Sequence, residues 1–544
     1  MEGTHLMLSP SAHADTFCRD NLPPEQQWPE FLGDSSGFRY PDRLNCATAL
    51  LDAAIAAHGR DRPCILTDNE TWTYGDVLDC ANRIANVLTG DCGLVPGNRV
   101  LLRGPNNPWM VACWFGVVKA GGVVVTTLPM LRAHELSKLI ESTRPVLALC
   151  DSRLSDELSA ADPALPILPI GGATAADLTV RIRAKSASFT APETAADDVV
   201  LLAPTSGTTG EPKVTMHFHR DVLASADTFS EHVLAPRPDD IFTGTPPLAF
   251  TFGLGALLVF PMRVGAAVVL SEKFDLDNLV EAVEKFAVTV LFTAPTAYKA
   301  ILKRDDLHRL RTLRRCVSAG EHLPEPVRAE FHRRTGLKLI NGIGATELLH
   351  IFIAAAEEHT RPGAIGRVVP GYRAEIQDDT GHPVPDGIPG KLAVRGPTGC
   401  RYLADTRQLE YVRNGWNLTG DICSRDSDGY FWYHSRSDDM IISAGYNVSG
   451  LEVEGVLELH PDVMESAVIG IPDAARGTIV HAAVVLRPGL PGDADKMREL
   501  REFAERTLAR YKAPRSIEFV ADLPRNPTGK LQRSKVRELW SVTR

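Results

Sequence analysis

Apolar positions along the first part of the chain switch between two rhythms. Segments 46–58, 74–88, 109–119 and 134–140 repeat apolar residues every three or four positions and predict helices, while 99–102, 122–127 and 146–150 are short, largely apolar or β-branched segments that predict strands. This alternation predicts βα units and a largely parallel sheet. After an Ala/Thr/Ser-rich connector at 174–196 the rhythm resumes. Strands at 241–245, 267–270, 289–292, 315–318 and 338–340 alternate with helices at 253–262, 276–286, 297–302 and 324–335, which gives a second doubly wound α/β layer. From Ile365 the pattern changes to strands separated by turns (378–381 and 385–387), a β subdomain reaching about Tyr433. Beyond it a small α+β unit is expected, with helices at 451–459 and 494–510 and strands near 465–469 and 481–486. The chain is therefore divided into an N-terminal domain, 1–437, and a C-terminal domain, 438–544. The first 45 residues, rich in Pro, Asp and Glu, read as an irregular lead-in anchored by Trp28 and Phe31.

Composition narrows the class. A chain of 544 residues exceeds one hydrophobic core, and 44% apolar residues are ample for packed domains. A net charge of −10, with no dense Lys/Arg block, argues against nucleic acid as the main partner. Residues 1–20 lack the basic and apolar regions of a secretory signal. The most apolar window, 109–129, is broken by Lys119-Ala120-Gly121-Gly122 and reads as helix, turn and strand rather than a membrane span. A soluble cytoplasmic protein without membrane partners is expected. Ten cysteines without a C-x-x-C pair fit reduced, mostly buried thiols.

Candidate chemistry centres on Thr205, Ser206, Gly207, Thr208, Thr209, Gly210, Glu211, Pro212 and Lys213. Two glycines free the backbone to turn its N–H groups toward one anion, and four hydroxyls and a lysine add donors. The apolar run 199–202 before it and the alternating 214–218 after it place this loop between two strands. A Walker A loop opens a helix and has a different glycine spacing. Further on, Asn341-Gly342-Ile343-Gly344-Ala345-Thr346-Glu347 ends a predicted strand in glycines, so Thr346 and Glu347 fall at the carboxyl edge of the sheet, where α/β ligands bind. Asp421 follows Thr419-Gly420, and an ionised carboxylate is purely an acceptor. Arg436 and Asp438 follow in Tyr433-His434-Ser435-Arg436-Ser437-Asp438-Asp439, and Lys530 closes Pro524-Arg525-Asn526-Pro527-Thr528-Gly529-Lys530. His217 and His219 are read as packing or surface residues, since no third ligand stands at a metal spacing.

These five stretches, in this order, resemble the motifs of the acyl-adenylate-forming superfamily, which includes acyl- and aryl-CoA ligases, luciferases and the adenylation domains of peptide synthetases. The resemblance implies a large N-terminal α/β domain with a small mobile C-terminal domain. It implies that residues 205–213 bind ATP phosphates, that Thr346 contacts the α-phosphate and that Glu347 ligates Mg²⁺. Asp421 would bind the ribose hydroxyls, Arg436 ribose and phosphate, and Asp438 would be the hinge. Ser435 departs from the motif, which has glycine there. Lys530 would be the adenylation lysine, and Gly445 would line the coenzyme A path. The run 342–352 looks most like benzoate- and 2-aminobenzoate-CoA ligases, and Ser11-Ala12-His13-Ala14-Asp15-Thr16-Phe17 leans toward the 2-aminobenzoate branch. Phe250, Thr251, Phe252, Ala319, Gly320, Ile343 and His350 are the aryl-pocket candidates. The expected activity is ATP-dependent conversion of an aromatic acid, 2-aminobenzoate first, to its CoA thioester through an aryl-AMP. A benzoate-CoA ligase, or an adenylation enzyme that loads an aryl group onto a carrier protein, is the alternative. A downstream acyltransferase or a carrier protein is the further partner considered.

Overall fold

The computed structural model describes residues 8–32, 37–172, 174–205, 212–273, 275–437, 439–443, 446–473, 477–508, 510, 512–526, 529 and 531–542. Chain contacts divide the molecule into two compact units, one of residues 1–374 with 394–417, the other of 375–393 with 418–544. Each boundary falls inside a strand: Arg373–Gln377, Gly390–Arg395 and Trp416–Arg425.

The first unit is built on two sheets. One has six strands in the order Ile167–Ile170, Leu147–Asp151, Arg99–Arg103, Val123–Thr127, Val199–Thr205, Lys213–Phe218; all neighbours are parallel except the last pair. The other has nine, in the order Arg367–Val368, Ile351–Ala355, Leu339–Gly344, Arg315–Ala319, Val290–Thr293, Ile241–Gly244, Ala267–Val269, Pro63–Leu66, Thr71–Thr73, parallel in its body and antiparallel at both edges. Inner strands of a parallel sheet are covered on both faces, which is why Val123–Thr127 and Leu147–Asp151 are buried at every position. The two doubly wound α/β layers expected from the sequence are present.

Helix ends follow local chemistry. Thr73 and Asp76 form a reciprocal capping box at the start of Tyr74–Gly90, and Asn107 caps Pro108–Lys119, whose first residue is the proline that position favours. The segment expected as one helix over 46–58 instead comprises a π-helical stretch, Thr48–Asp52, followed by the α-helix Ala53–His58. Core residues Leu101, Val125, Leu139, Ala148 and Leu202 pack around the six-stranded sheet, and Val283, Leu291, Tyr298, Cys316 and Phe331 beside the nine-stranded one. The lead-in is anchored as read, with Trp28 buried and its ring 6.2 Å from Phe31 in an edge contact. All ten cysteines are free thiols, and only Cys92 is exposed.

The second unit has the three-stranded sheet Val463–Asp473, Gly477–Leu486, Ser516–Phe519, covered by Gly450–Leu457 and Ala494–Thr507 around Val453, Leu457, Val468, Val484 and Leu500. It also holds the C-terminal helix Arg533–Val542, which the sequence reading lacked, and most of the antiparallel pair Trp416–Arg425 and Phe431–Arg436. Among the described residues no helix is long and apolar enough to cross a membrane.

Candidate active site

In the first unit, Thr205 ends its strand and Lys213 begins the next, and the two face each other in antiparallel register. The loop between them therefore joins two strands. Ser206, Gly207, Thr208, Thr209 and Gly210 lie outside the described residues. Thr346 and Glu347 open a short 3₁₀ turn, Thr346–Leu348, just beyond the strand Leu339–Gly344. Leu349 then takes φ +70°, ψ −40°, an unusual conformation for a branched residue, and turns the chain back into the antiparallel strand Ile351–Ala355. Both Thr346 and Glu347 are half-buried.

Tyr402, absent from the sequence reading, joins two of these groups. Its hydroxyl donates to Glu347 Oε1 at 2.5 Å, and Lys213 Nζ stands 5.1 Å from its ring centroid. Burial and then the Glu347 carboxylate push the phenol's pKa far above its ordinary value, so it remains a donor. Beside it Arg401 forms a fully buried ion pair with Asp221 and lies 3.8 Å over the Phe218 ring. His217 and His219 are also buried, and His219 belongs to the helix that follows the strand. Burial lowers the pKa of each to about 3, with Arg401 adding to the effect at His217.

The aryl-pocket candidates separate into groups. His350 is buried among Phe260, Phe229 and Phe252 at ring distances of 4.5, 5.4 and 5.7 Å, and Phe252 also meets Phe292 at 5.8 Å. Burial, opposed by the backbone of Phe252, lowers the His350 pKa to about 3, so the ring is neutral near pH 7. Neither of its nitrogens has a well-formed hydrogen bond among the described residues, the Phe252 backbone being a weak partner. Phe250 caps the short helix Thr251–Leu254, in which Thr251 is buried. Ala319 ends its strand opposite Gly342, Gly320 follows exposed with φ +88°, and Ile343 is half-buried in the neighbouring strand. Phe229 and Phe260 join this cluster without a local sequence signal.

In the second unit Asp421 and Arg436 face each other across the antiparallel pair. Arg436 Nη1 donates to Asp421 Oδ1 at 3.0 Å and to the Thr419 carbonyl at 2.8 Å, while the Asp421 side chain is 9% exposed. Gly420 has φ +78°, and a Cβ there would sit 2.7 Å from Arg436 Nη2. Gly420→Ala is therefore expected to destabilise the protein by about 1–3 kcal/mol through backbone strain and displacement of the arginine, read as a lower urea midpoint. Around Lys530, Arg525 and Leu531 form an isolated antiparallel bridge, and Gly529, at φ +86°, donates its N–H to the Asn526 carbonyl at 2.9 Å. Lys530, Asp438 and Gly445 lie outside the described residues. Asp439, next to the expected hinge, is paired with Arg537 at 2.8 Å.

Among the described residues one group of ligand atoms, from His460, Asp462 and Glu499, is close enough to hold a cation. Lys496 Nζ already contacts both carboxylates, at 2.6 and 2.5 Å, and His460 faces Glu499 with Nε2 at 3.2 Å. That group is a salt-bridge network.

Hydroxyl, carboxylate and lysine groups thus stand at strand ends of α/β layers, the place where ligands of such folds bind, and comparison with known proteins gives the family. Residues 51–402 match the AMP-binding enzyme family and residues 452–530 the AMP-binding enzyme C-terminal domain; the chain belongs to this family. The benzoate–CoA ligase of Thauera aromatica is 32% identical over 510 residues, covering 92% of this chain and 97% of the relative. The 3-hydroxybenzoate–CoA ligase of Aromatoleum sp. (strain CIB) is 30% identical, covering 92% and 98%. Among solved structures, the anthranilate CoA ligase AuaEII in complex with anthranoyl-AMP has a TM-score of 0.87 at 33% identity, covering 93% of this chain and 98% of its own. The chain thus falls in the aryl-CoA ligase branch of the AMP-forming acid–CoA ligases, which use ATP and coenzyme A.

Proposed function

We propose that this protein activates 2-aminobenzoate: the acid's carboxylate attacks the α-phosphate of ATP, aryl-AMP forms with release of pyrophosphate, and the thiol of coenzyme A then displaces AMP from the acyl carbon. The observation that carries the choice of acid is the buried, neutral His350, whose ring is walled by phenylalanines and whose nitrogens have no well-formed hydrogen bond among the described residues. A flat aromatic acid suits such walls, and an imidazole lone pair can accept the N–H of an ortho amino group. The solved relative that holds anthranoyl-AMP supports the same reading.

Each half of the reaction has its own residues. Thr205, the loop 206–210 and Lys213 would hold the phosphates; Asp421 would accept from the ribose hydroxyls; Arg436 would orient ribose and phosphate. A magnesium ion fits the donor present, because Glu347 offers a carboxylate with one oxygen held by Tyr402, a hard oxygen ligand of the kind this cation takes alongside phosphate oxygens and water, while Thr346 would contact the α-phosphate. When bound it would neutralise charge on the phosphates. Lys530 would hold the attacking carboxylate and the α-phosphate together, and Gly445 would leave room for the pantetheine arm. Residues 438–544 would turn about Asp438 between the two steps.

The test measures pyrophosphate and thioester together for 2-aminobenzoate, benzoate and a linear fatty acid. Wild type is expected to prefer 2-aminobenzoate over benzoate by at least about tenfold in kcat/KM, and to turn over the fatty acid hardly at all. In His350→Ala the ratio of the two aryl acids should fall toward one. Faster turnover of benzoate by wild type rejects the substrate; an unchanged ratio in a folded variant removes His350 from its recognition.

A further inference from the structure

The segment 400–403 runs beside the strand Lys213–Phe218 and is pinned from several directions. Met216 N–H donates to the Arg401 carbonyl at 2.8 Å and Leu403 N–H to the Val214 carbonyl at 2.9 Å, with Thr215 and Tyr402 forming an isolated antiparallel bridge. Cys400 N–H donates to Asn417 Oδ1 and Tyr402 N–H to Gln408 Oε1, each at 2.9 Å. The side chain between these anchors is fixed too: Tyr402 is fully buried, and its ring meets Tyr411 edge-on at 5.8 Å. Arg401, buried against Asp221, ties the same segment to the helix His219–Ser225. A phenol held this firmly can impose its geometry on softer neighbours.

Its neighbours are a half-buried carboxylate and a lysine, each with several rotatable bonds. We propose that Tyr402 is a positioning residue of the nucleotide site: its hydroxyl turns the Glu347 carboxylate so that Oε1 is held and Oε2 is left for the cation carried by ATP, and its ring steers the Lys213 ammonium. This rests on the reading of Glu347 and Lys213 given above. The hydroxyl's charged partner is the carboxylate, its other neighbour being the buried Cys400 thiol, so its loss should be felt where the cation is felt and not where ATP alone is bound. A hydrogen bond to a charged group is worth about 10- to 100-fold in affinity. The ring acts on Lys213, so its loss should weaken ATP binding with or without a cation. The thiol-transfer step should not depend on either.

Tyr402→Phe keeps the ring and removes the hydroxyl; Tyr402→Leu removes both. Full-length variants are titrated with Mn²⁺ in the presence of ATP and followed by electron paramagnetic resonance, metal-free ATP binding is measured by calorimetry, and thermal unfolding is recorded. Tyr402→Phe is expected to weaken Mn²⁺ binding in the presence of ATP by about 10- to 100-fold, leaving metal-free ATP affinity and thioester formation from supplied aryl-AMP unchanged. Tyr402→Leu is expected to weaken metal-free ATP binding as well. Wild-type Mn²⁺ affinity in Tyr402→Phe overturns the proposal, as does an equal loss of metal-bound and metal-free ATP binding accompanied by a drop in Tm, the signature of a purely structural tyrosine. If wild type itself releases no pyrophosphate with any aryl acid, the ligase reading fails; if it does and Tyr402→Phe binds Mn²⁺ normally, only the role of Tyr402 fails.

Discussion

Replacing Lys530 with alanine is expected to slow pyrophosphate release by about 10²–10³-fold, the cost of removing one preorganised donor from a developing charge. In the first step two anions, the acid's carboxylate and the α-phosphate, must approach within bonding distance, and on the proposed reading a single ammonium between them would offset their repulsion. In the second step the attacked carbon belongs to a mixed anhydride whose leaving group is AMP, so the same ammonium has no anion pair to join. Thioester formation from supplied aryl-AMP should therefore be nearly unchanged. Gly529 and the Arg525–Leu531 bridge hold the chain beside it through backbone hydrogen bonds, so the variant is expected to keep the wild-type Tm. Burst-phase pyrophosphate assays and single-turnover measurements with aryl-AMP separate the steps. An equal loss in both would assign Lys530 to the structure of the second unit.

The largest effect on stability is expected at Asp221. Its carboxylate and the Arg401 guanidinium are both wholly buried, and Arg401 is stacked on Phe218. Asp221→Ala leaves a buried guanidinium without its counterion and should cost about 3–5 kcal/mol, measured as a shift in the urea unfolding of the first unit. The Asp221→Leu, Arg401→Met double variant, apolar at both positions, should recover most of that loss. A single-variant cost below about 1 kcal/mol would mean that water reaches the pair, as it does for exposed ion pairs.

How much of this was legible in the sequence depended on the distance over which a feature is encoded. Buried parallel strands such as Leu147–Asp151 announce themselves because both faces are covered, leaving the apolar run 146–150. The strand Ile167–Ile170 contains a proline and Thr71–Thr73 is only three residues long, so neither stands out from a loop. The helix Arg533–Val542 carries Val536, Leu539 and Trp540 at helical spacing but is short, and Arg533 and Arg537 are bound to Glu454 and Asp439, partners from other parts of the chain. The same division holds at the site. In the first unit Thr205, Lys213, Thr346 and Glu347, and in the second Asp421 and Arg436, lie in short stretches whose glycines and hydroxyls are local signals; the strands pair Thr205 with Lys213 and Asp421 with Arg436. Tyr402 touches a carboxylate 55 positions away, and Arg401 one that is 180 positions away. No spacing rule reaches that far, and a tyrosine in Cys400-Arg401-Tyr402 looks like any core aromatic.

That long separation between Asp221 and Arg401 also has a consequence in time. The first unit takes its last segment, 394–417, only after the chain has left it for residues 375–393. On a ribosome adding about 5–20 residues per second, Asp221 exists for on the order of 10–40 s before its counterion is made. Through that interval the strand Lys213–Phe218 has no 400–403 segment beside it, so its outer backbone groups and the Asp221 carboxylate stay in water. The first unit can therefore close only once residue 417 has emerged, and the edge proposed to hold the nucleotide is among the last parts of it to form during synthesis.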